Sequence, residues 1–240
     1  MFKKRYNKYT TLKPQSIMAK TAQKPVTESK SNSRDKIIES YKEYKLKYGG
    51  QPVSVFAFVK SIKLNEEQFF EHFSSFQSLE AEIWEHMVSK VILVIHADGN
   101  YAEFTVREKL LSFYYTFLEV LKANRSYVLM ESSSIKPGFR EHPAFKGMKS
   151  AYLDFIQGLM IEGNDTGEIP KRPFISDQYK QGFWVQLLFI MNFWKNDDSK
   201  DFENTDAAIE KAVNLSLDLI EKGPLDSIID FAKFLYQNKG

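Results

Sequence analysis

Cysteine is absent from the 240 residues of this chain, so disulfide bonds and thiolate metal sites are excluded. Long apolar runs are absent too. The most apolar segment, residues 183–194, is shorter than the ~20 residues that span a bilayer and contains Gln186 and Asn192. Residues 6–36 hold no apolar run, so no secretory signal is visible. We therefore expect a cytoplasmic protein that has no membrane partner.

Motifs of catalysis and of cofactor binding are missing as well. The histidines at 72, 86, 96 and 142 lack ligand spacing, and neither a Ser-His-Asp pattern nor a glycine-rich phosphate loop is present. The acidic run from Asp197 to Asp206 lacks the glycine and the final glutamate of an EF-hand, so we interpret it as a solvated loop that caps a helix. We predict no enzymatic activity, no metal and no cofactor.

Basic residues are concentrated at the start of the chain. Residues 1–36 contain ten Lys or Arg against Glu28 and Asp35, a net charge of +8, whereas the whole chain carries +2. A basic tail on an acidic body indicates either an arm that seeks a polyanion or a solvated leader. We predict that residues 1–33 form a disordered basic tail, within which Met18 is a second plausible translation start.

Apolar residues recur at helical spacing through the rest of the chain, and no segment alternates as a strand does. Ile37, Tyr41, Tyr44 and Tyr48, for example, fall on one face of a helix that begins near Arg34. The pattern predicts an all-α protein. Its expected helices cover about 34–48, 54–61, 66–73, 76–96, 106–122, 125–133, 144–162, 176–195 and 205–222, with a last one over 225–237.

Residues that cap helices mark several of these starts. Three pairs have the spacing of capping boxes: Asn65 with Gln68, Ser74 with Gln77, and Thr105 with Glu108. The first two boxes follow a tight turn at Lys63 and Leu64. Residues 53–79 thus have the order of a helix-turn-helix DNA-binding head, namely a helix, a turn, a short second helix and the start of a long third one.

The spacing of this segment resembles the tetracycline-repressor (TetR) family of bacterial regulators. Its intact apolar frame carries the resemblance: Phe58, Val59, Leu64, Phe69, Phe70, Phe73 and Leu79, with His72 before Phe73. The resemblance implies an all-α fold with a helix-turn-helix head over residues 34–80. A larger helical body over residues 81–240 would then bind a ligand and form a dimer.

The head departs from the family pattern where DNA is usually contacted. Lys63 stands at the turn glycine and must accept a strained backbone. Phe70 and Phe76 replace a tyrosine and a lysine that usually meet phosphate. Glu66 and Glu67 open the recognition helix, where they stabilise the helix dipole but would face DNA. The candidate DNA contacts that remain are Lys60, Lys63, Asn65, Gln68 and His72, together with the tail.

The predicted helix over 176–195 is apolar on nearly all sides, so it must be buried all round. It is either the centre of a monomer core or a helix between a core and a partner subunit. Phe193, Trp194 and Ser199, with Asp197 or Asp198 between them, are similar to the body of a TetR subgroup. This element is also similar to that of a lipid-binding protein with the TetR fold.

The resemblance implies that the predicted helices over 176–195 and 205–222 form a dimeric four-helix bundle and that the four helices from 106–122 to 176–195 enclose a pocket. We expect the dimer contact at Phe189, Phe193, Val213 and Leu217. Aromatic excess suggests a hydrophobic-ligand pocket at Tyr114, Phe117, Phe155, Leu159, Trp184 and Leu188, although the same residues would also suit a solid core.

The function that follows is that of a homodimeric, TetR-like transcriptional regulator. Its partner would be double-stranded DNA, and a small hydrophobic ligand would control the binding. The alternative is a TetR-fold protein that binds a hydrophobic, lipid-like ligand and has lost specific DNA binding, because the head carries acidic residues where phosphate oxygens would lie.

Overall fold

The computed structural model describes residues 26–134, 142–170 and 176–222. Within these ranges the chain forms nine α-helices and no strand, which confirms the predicted all-α fold. The helices are α1 Val26–Tyr48, α2 Val55–Ser61, α3 Glu66–Phe70, α4 Phe76–His96, α5 Val106–Ala123, α6 Arg125–Ser134, α7 Lys146–Thr166, α8 Ser176–Lys195 and α9 Glu203–Lys222. Short 3₁₀ turns cover Tyr101–Glu103, Pro143–Phe145 and Lys200–Phe202.

Most helix boundaries agree with the sequence analysis, and α4 and α8 have the predicted limits. The start of α1 does not: it lies at Val26, eight residues before Arg34, so the end of the predicted disordered tail is helical. Residues 26–33 are almost all polar and have no apolar stripe, which is the signal from which the start was predicted. Residues 1–25 and the predicted helix over 225–237 lie outside the described residues.

The end of α7 is also later than predicted. The sequence pattern predicts that this helix ends at residue 162, but Gly163 lies inside the helix and packs against Ile169. The helix ends at Thr166 because Gly167 takes the left-handed conformation, with a φ of 83°. The chain then turns back, and the amide of Ile169 donates to the carbonyl of Gly163 at 2.9 Å.

Two of the three predicted capping boxes are present, at Asn65 with Gln68 and at Thr105 with Glu108. The box predicted at Ser74 and Gln77 is displaced by one residue. Ser75 caps α4, and Ser78 returns the hydrogen bond to the Ser75 amide. The displacement has a packing reason, because it points Phe76 and Leu79 into the core.

We call α1–α3 the head and α4–α9 the body. Stacked and edge-on aromatic rings fill the core of the head, with Tyr41 5.3 Å from Phe76, and Phe76 in turn 5.7 Å from Phe58 and 5.5 Å from Phe69. Such contacts add to the apolar area that the rings remove from water. The head is therefore held together by aromatic packing that includes the first residue of α4.

In the body, α4 packs against α5 and α7, while α9 packs against α8 and α5. The approach of α7 to α4 is close at Gly147, where an added Cβ would lie 2.9 Å from the carbonyl oxygen of Ala81. Glycine at this position lets the two backbones come together. The packing leaves the outer faces of α8 and α9 side by side on the surface.

Candidate functional site

The turn between α2 and α3 has the backbone that the sequence predicts. Lys63 adopts the left-handed conformation, with a φ of 58°, at the position where the family pattern has glycine. The turn is closed by a hydrogen bond from the Leu64 amide to the Val59 carbonyl at 2.8 Å. A lysine in this conformation is strained, so packing of the head must hold it there.

The capping box at the start of α3 uses the side chains of two predicted DNA contacts. The backbone amide of Gln68 donates to Oδ1 of the Asn65 side chain at 2.8 Å, and the backbone amide of Asn65 donates to Oε1 of the Gln68 side chain at 3.1 Å. Both side chains are therefore oriented along their own helix end. A base contact by either residue would have to use the remaining amide nitrogen or break the box.

His72, a third predicted contact, is half-buried behind α3. Its Nε2 lies 2.9 Å from the hydroxyl oxygen of Ser33, which ties the end of the recognition helix to α1. Lys60 and Lys63 are exposed, and the Lys60 ammonium lies 5.7 Å from the ring centre of the exposed Phe56. The structure therefore leaves two of the five predicted residues as exposed cations.

The outward surface of α3 is acidic and aromatic. Glu66, Glu67 and Glu71 are exposed, and Phe70, at the position of the family tyrosine, has 53% of its surface exposed. Phe76, at the position of the family lysine, is instead a buried member of the head core. This surface repels phosphate at three carboxylates, whereas the exposed cations Lys60 and Lys63 would attract it.

The six predicted pocket residues lie in the interior of the body and pack with other aromatic rings. Tyr114 and Phe117 are fully buried, and Phe155 stacks on Phe113 at 4.8 Å. A buried hydrogen bond of 2.6 Å joins the hydroxyl groups of Tyr114 and Tyr152. Leu159 and Trp184 are buried and Leu188 is half-buried. The six residues thus lie on α5, α7 and α8 and face the interior of the body.

An open groove of about 930 Å³ runs along the outer faces of α8 and α9, and none of the six pocket residues lines it. Its apolar walls include Val185, Phe189, Leu215 and Leu219, all exposed. Asn204 and Lys211 are among its few polar residues. Exposed apolar side chains gathered in one place indicate a contact surface.

The predicted dimer residues divide between this groove and the core. Phe189 and Phe193 line the groove. Val213 does not, because it is fully buried within the chain, and this prediction was wrong in placing it at a surface. Leu217 is partly buried against the core. Val185, Leu215 and Leu219 also line the groove but were not predicted to do so. The i,i+4 spacing of 185 with 189 and of 215 with 219 was a signal for them in the sequence.

The acidic loop before α9 is a capping structure, as interpreted. The carboxylate of the buried Asp197 accepts from the Ser199 amide at 2.9 Å, the Thr205 amide at 2.8 Å and the Thr205 hydroxyl at 2.6 Å. Burial by itself raises the pKa of Asp197, but the hydrogen bonds from Ser199 and Thr205 outweigh it and lower the pKa to about 2. No helix among the described residues is long and apolar enough to cross a membrane.

Comparison with known proteins agrees with this architecture. Two solved structures resemble the chain: a protein of unknown function from Rhodococcus sp. RHA1, with a TM-score of 0.52 and 12% identity, and a protein from Shewanella sp. PV-4 assigned to the TetR family of transcription regulators, with a TM-score of 0.51 and 15% identity. The matches cover 79% and 80% of this chain and 95% and 97% of theirs. At such low identity these matches show the fold alone.

No protein with a curated description matches the sequence significantly. Residues 109–235, more than half of the chain, match the family model of the tetracycline-repressor-like C-terminal domain. The match covers α6–α9 and most of α5, and the head lies outside it. The chain therefore belongs to the TetR family.

Proposed function

We propose that this chain is a homodimeric transcriptional regulator whose head binds DNA weakly, mainly through charge, under the control of a small hydrophobic ligand in the body. The observation that carries the proposal is the geometry of the head. The strained turn at Lys63 and the capping box of α3 keep a separate, exposed recognition helix. Family membership of the body supports the same function.

Electrostatics limits how tightly this head can hold DNA. Residues 1–25 contain seven Lys or Arg and no Asp or Glu, whereas the exposed surface of α3 carries Glu66, Glu67 and Glu71. Lysine contacts to phosphate release counterions, so affinity that depends on them falls steeply with salt. We therefore expect the tail to supply most of the affinity and the head to supply orientation.

A DNA titration at several salt concentrations tests this proposal. The full chain is compared with a variant that lacks residues 1–25, so that the whole of α1 is kept, on genomic fragments and on the DNA upstream of its own gene. We expect truncation to remove most non-specific affinity and to make the slope of log K against log salt shallower by about 0.9 for each lost phosphate contact. Equal salt slopes for the two proteins would contradict the role of the tail.

The head is tested separately in the truncated protein. Lys60→Gln should weaken binding to all fragments alike, because a phosphate contact carries no sequence information. Gln68→Ala also opens the capping box of α3, so its effect on DNA affinity is compared with its effect on Tm; selective loss on one sequence indicates a base contact, which costs ~1–3 kcal/mol. Lys90→Gln, an exposed lysine on α4 in the body, is the matched control for loss of one charge.

The groove between α8 and α9 supports the homodimer. Its occupant, we propose, is the same groove of a second copy, because Phe189 and Leu215 leave 50% and 61% of their surfaces in water. Continuous apolar surface of this kind is costly to leave exposed. The two faces would then form a four-helix contact in which the self-complementary patch meets itself.

Light scattering at micromolar concentration tests the dimer. Phe189→Glu combined with Leu219→Glu should give monomers, because a dimer would bury uncompensated charge. Leu93→Glu places the same charge on an exposed leucine of α4 and should leave the mass unchanged. Val213→Glu is unsuitable, because a charge at this buried position would unfold the protomer. A monomeric parent protein would contradict the proposal, and protection of the groove by residues 223–240 of the same chain would then be the alternative.

The ligand site is proposed among the six interior residues around Tyr114, which lie on α5, α7 and α8. The dye 8-anilinonaphthalene-1-sulfonate can probe this region. Leu159→Trp should abolish core binding by filling space, whereas Phe189→Glu should remove only dye bound in the groove. Loss of all dye binding in Phe189→Glu would place the hydrophobic site in the groove instead.

A second candidate function is that of a hydrophobic-ligand-binding protein that no longer reads DNA. A specific observation favours it: the side chains of Asn65, Gln68 and His72 are all engaged within the head. The truncated protein decides between the two functions. Tight, sequence-selective binding without the tail supports the regulator, and no detectable binding without the tail supports the second candidate.

A further inference from the structure

At the end of α8 a cation packs against two aromatic rings that also contact each other. The guanidinium carbon of Arg125, at the start of α6, lies 4.8 Å from the ring centre of Trp194 and 5.0 Å from that of Phe202. The two rings are 6.1 Å apart. Trp194 is fully buried, and Arg125 and Phe202 are half-buried. We call these three residues the Arg125 corner.

Two hydrogen-bond donors of this corner have no acceptor. Nη1 of Arg125 and Nε1 of Trp194 are both buried and lack a partner. Buried polar atoms almost always have one, so two unpartnered donors on stacked groups need an explanation. Arginine and tryptophan side chains donate only, so neither can satisfy the other. The missing element is therefore an acceptor.

The charge of the corner is unbalanced as well. Arginine stays protonated at any ordinary pH, and a half-buried cation is normally paired. Among the residues that the structure describes, no carboxylate forms an ion pair with Arg125. The carboxylate of Asp197, three residues after Trp194, accepts its hydrogen bonds from Ser199 and Thr205. A water molecule could accept from Trp194, but it could not balance the charge.

The backbone that carries Phe202 is strained. Asp201 and Phe202 both adopt the left-handed conformation, with φ of 54° and 63°. This conformation is uncommon for residues other than glycine and persists only where surrounding contacts hold it. Phe202 makes such contacts with Arg125, with Trp194 and with the Lys122 ammonium, which lies 5.2 Å from its ring centre. The Phe202 ring thus covers the corner, and it is carried by a segment whose backbone strain would be relieved by movement.

We propose that the Arg125 corner binds a small oxyanion, the carboxylate or phosphate group of a low-molecular-weight ligand, and that Phe202 is its removable cover. The planar guanidinium fork matches the geometry of both groups, and the indole N–H adds a third donor. The corner lies beside the head, because Asn124 accepts a hydrogen bond of 2.8 Å from Lys42 of α1. The site is separate from the proposed hydrophobic pocket and from the α8–α9 groove.

Thermal unfolding and intrinsic fluorescence of the full chain test this proposal. Inorganic phosphate and sodium acetate are each titrated against sodium chloride at constant ionic strength. We expect a saturable rise in Tm and a saturable change in tryptophan emission with one of the two anions, and the anion that saturates at lower concentration identifies a phosphate or a carboxylate as the preferred group. No saturable effect beyond chloride with either anion would overturn the proposal.

Four variants connect the effect to named atoms. Arg125→Gln should weaken binding at least ~10-fold, because a charged hydrogen bond is lost, and Arg125→Lys should restore only part of it, because the fork is lost. Trp194→Phe keeps an aromatic ring but removes the indole N–H and its fluorescence. It should therefore weaken anion binding several-fold and abolish the change in tryptophan emission. Lys122→Gln removes a neighbouring cation that contacts only the Phe202 ring of the corner, so it should weaken binding much less than Arg125→Gln does.

A role confined to packing predicts a different result. It would lower Tm in Arg125→Gln without altering the anion concentration at half-saturation, and equal half-saturation in Arg125→Gln and Lys122→Gln would overturn the proposal. Should Arg125→Gln fail to fold, Phe202→Ala decides. Removing the cover should speed anion association measured by stopped-flow fluorescence, and an unchanged rate would count against it.

Discussion

Lys45 of the head lies 2.7 Å from the carboxylate of Glu131 on α6 of the body, and it also lies 2.6 Å from Glu80 on α4. The hydroxyl of Tyr41 donates to the same Glu80 at 2.7 Å. All three charged side chains are largely buried. One ammonium is therefore shared by two carboxylates at the junction between the head and the body, and this cluster ties α1 to α4 and α6.

Replacing Lys45 should be strongly destabilising. Lys45→Met removes the cation that the two buried carboxylates share, so the free energy of unfolding should fall by ~3–5 kcal/mol. Lys42→Met, at a more exposed ion pair with Glu39, is the control and should cost less than ~1 kcal/mol. Denaturant unfolding at pH 7 measures both effects.

The pH dependence of the parent protein should show the same cluster. Burial lowers the pKa of Lys45, but the hydrogen bonds that its ammonium donates to Glu131 and Glu80 outweigh burial and raise the pKa above its usual value. A raised folded-state pKa means that the stabilisation is complete below about pH 10.4 and is lost as pH rises beyond it. The free energy of unfolding of the parent protein should decline between pH 8 and pH 11, and this decline should be absent in Lys45→Met. An equal pH dependence of the unfolding free energy in the two proteins would contradict this role of Lys45.

Asp197 should stabilise the start of α9. Asp197→Ala leaves two amides and a hydroxyl without their acceptor, so the expected loss is ~2 kcal/mol. Since its pKa is lowered to about 2, the stabilisation is present above the ordinary value of 3.8 and is lost as pH falls towards 2. The exposed Asp198 provides the control, because Asp198→Ala should change Tm little. A Tm difference that persists unchanged at pH 2 would be unexpected.

Two glycines of α7 should respond oppositely to alanine. At Gly147 an added Cβ would meet the Ala81 carbonyl oxygen at 2.9 Å, so Gly147→Ala should cost ~1–3 kcal/mol. At Gly158 nothing lies within 4 Å of the added atom, so Gly158→Ala should stabilise by ~0.5–1 kcal/mol through helix propensity. Denaturant unfolding compares the pair. Stabilisation by both substitutions would show that α4 and α7 are less closely packed than the structure has them.

Lys63 should trade stability against DNA affinity. Lys63→Gly removes the strain of a left-handed lysine, so the head should gain up to ~1 kcal/mol of stability. The same change removes a cation beside the acidic α3, so DNA affinity should fall. Lys63→Gln, which keeps a long side chain in the left-handed conformation but removes the charge, separates the two effects. A destabilised Lys63→Gly protein would show that the lysine side chain makes a contact of its own.

The buried hydroxyl pair of Tyr114 and Tyr152 is suited to a double-mutant cycle. Tyr114→Phe and Tyr152→Phe should each cost ~1–2 kcal/mol, because each leaves one buried hydroxyl without its partner. The double variant should cost less than the sum, since it leaves neither group unpaired. Additive costs would indicate that the two hydroxyls have other partners and that the core around them is less dry than the structure indicates.

Helical periodicity and capping chemistry determined most of the fold, because both are local. Asn65 with Gln68, and Thr105 with Glu108, mark helix starts within four residues, and the structure forms both boxes. The left-handed Lys63 followed from its place in the turn pattern. The start of α1 could not be predicted, because the polar residues 26–33 give no periodic signal.

The candidate sites depended on which helix faces meet, and no local pattern specifies this. Val213 and Leu215 are equally apolar in sequence, yet the packing of α9 buries the first completely and leaves 61% of the second in water. Lys45, Glu80 and Glu131 lie far apart along the chain, and the charge balance among them exists only once α1, α4 and α6 have packed. Arg125, Trp194 and Phe202 likewise come together only through the strained turn before α9. The sequence therefore determined the helices and their caps through interactions within a few residues, while tertiary packing decided which side chains are buried, exposed or paired.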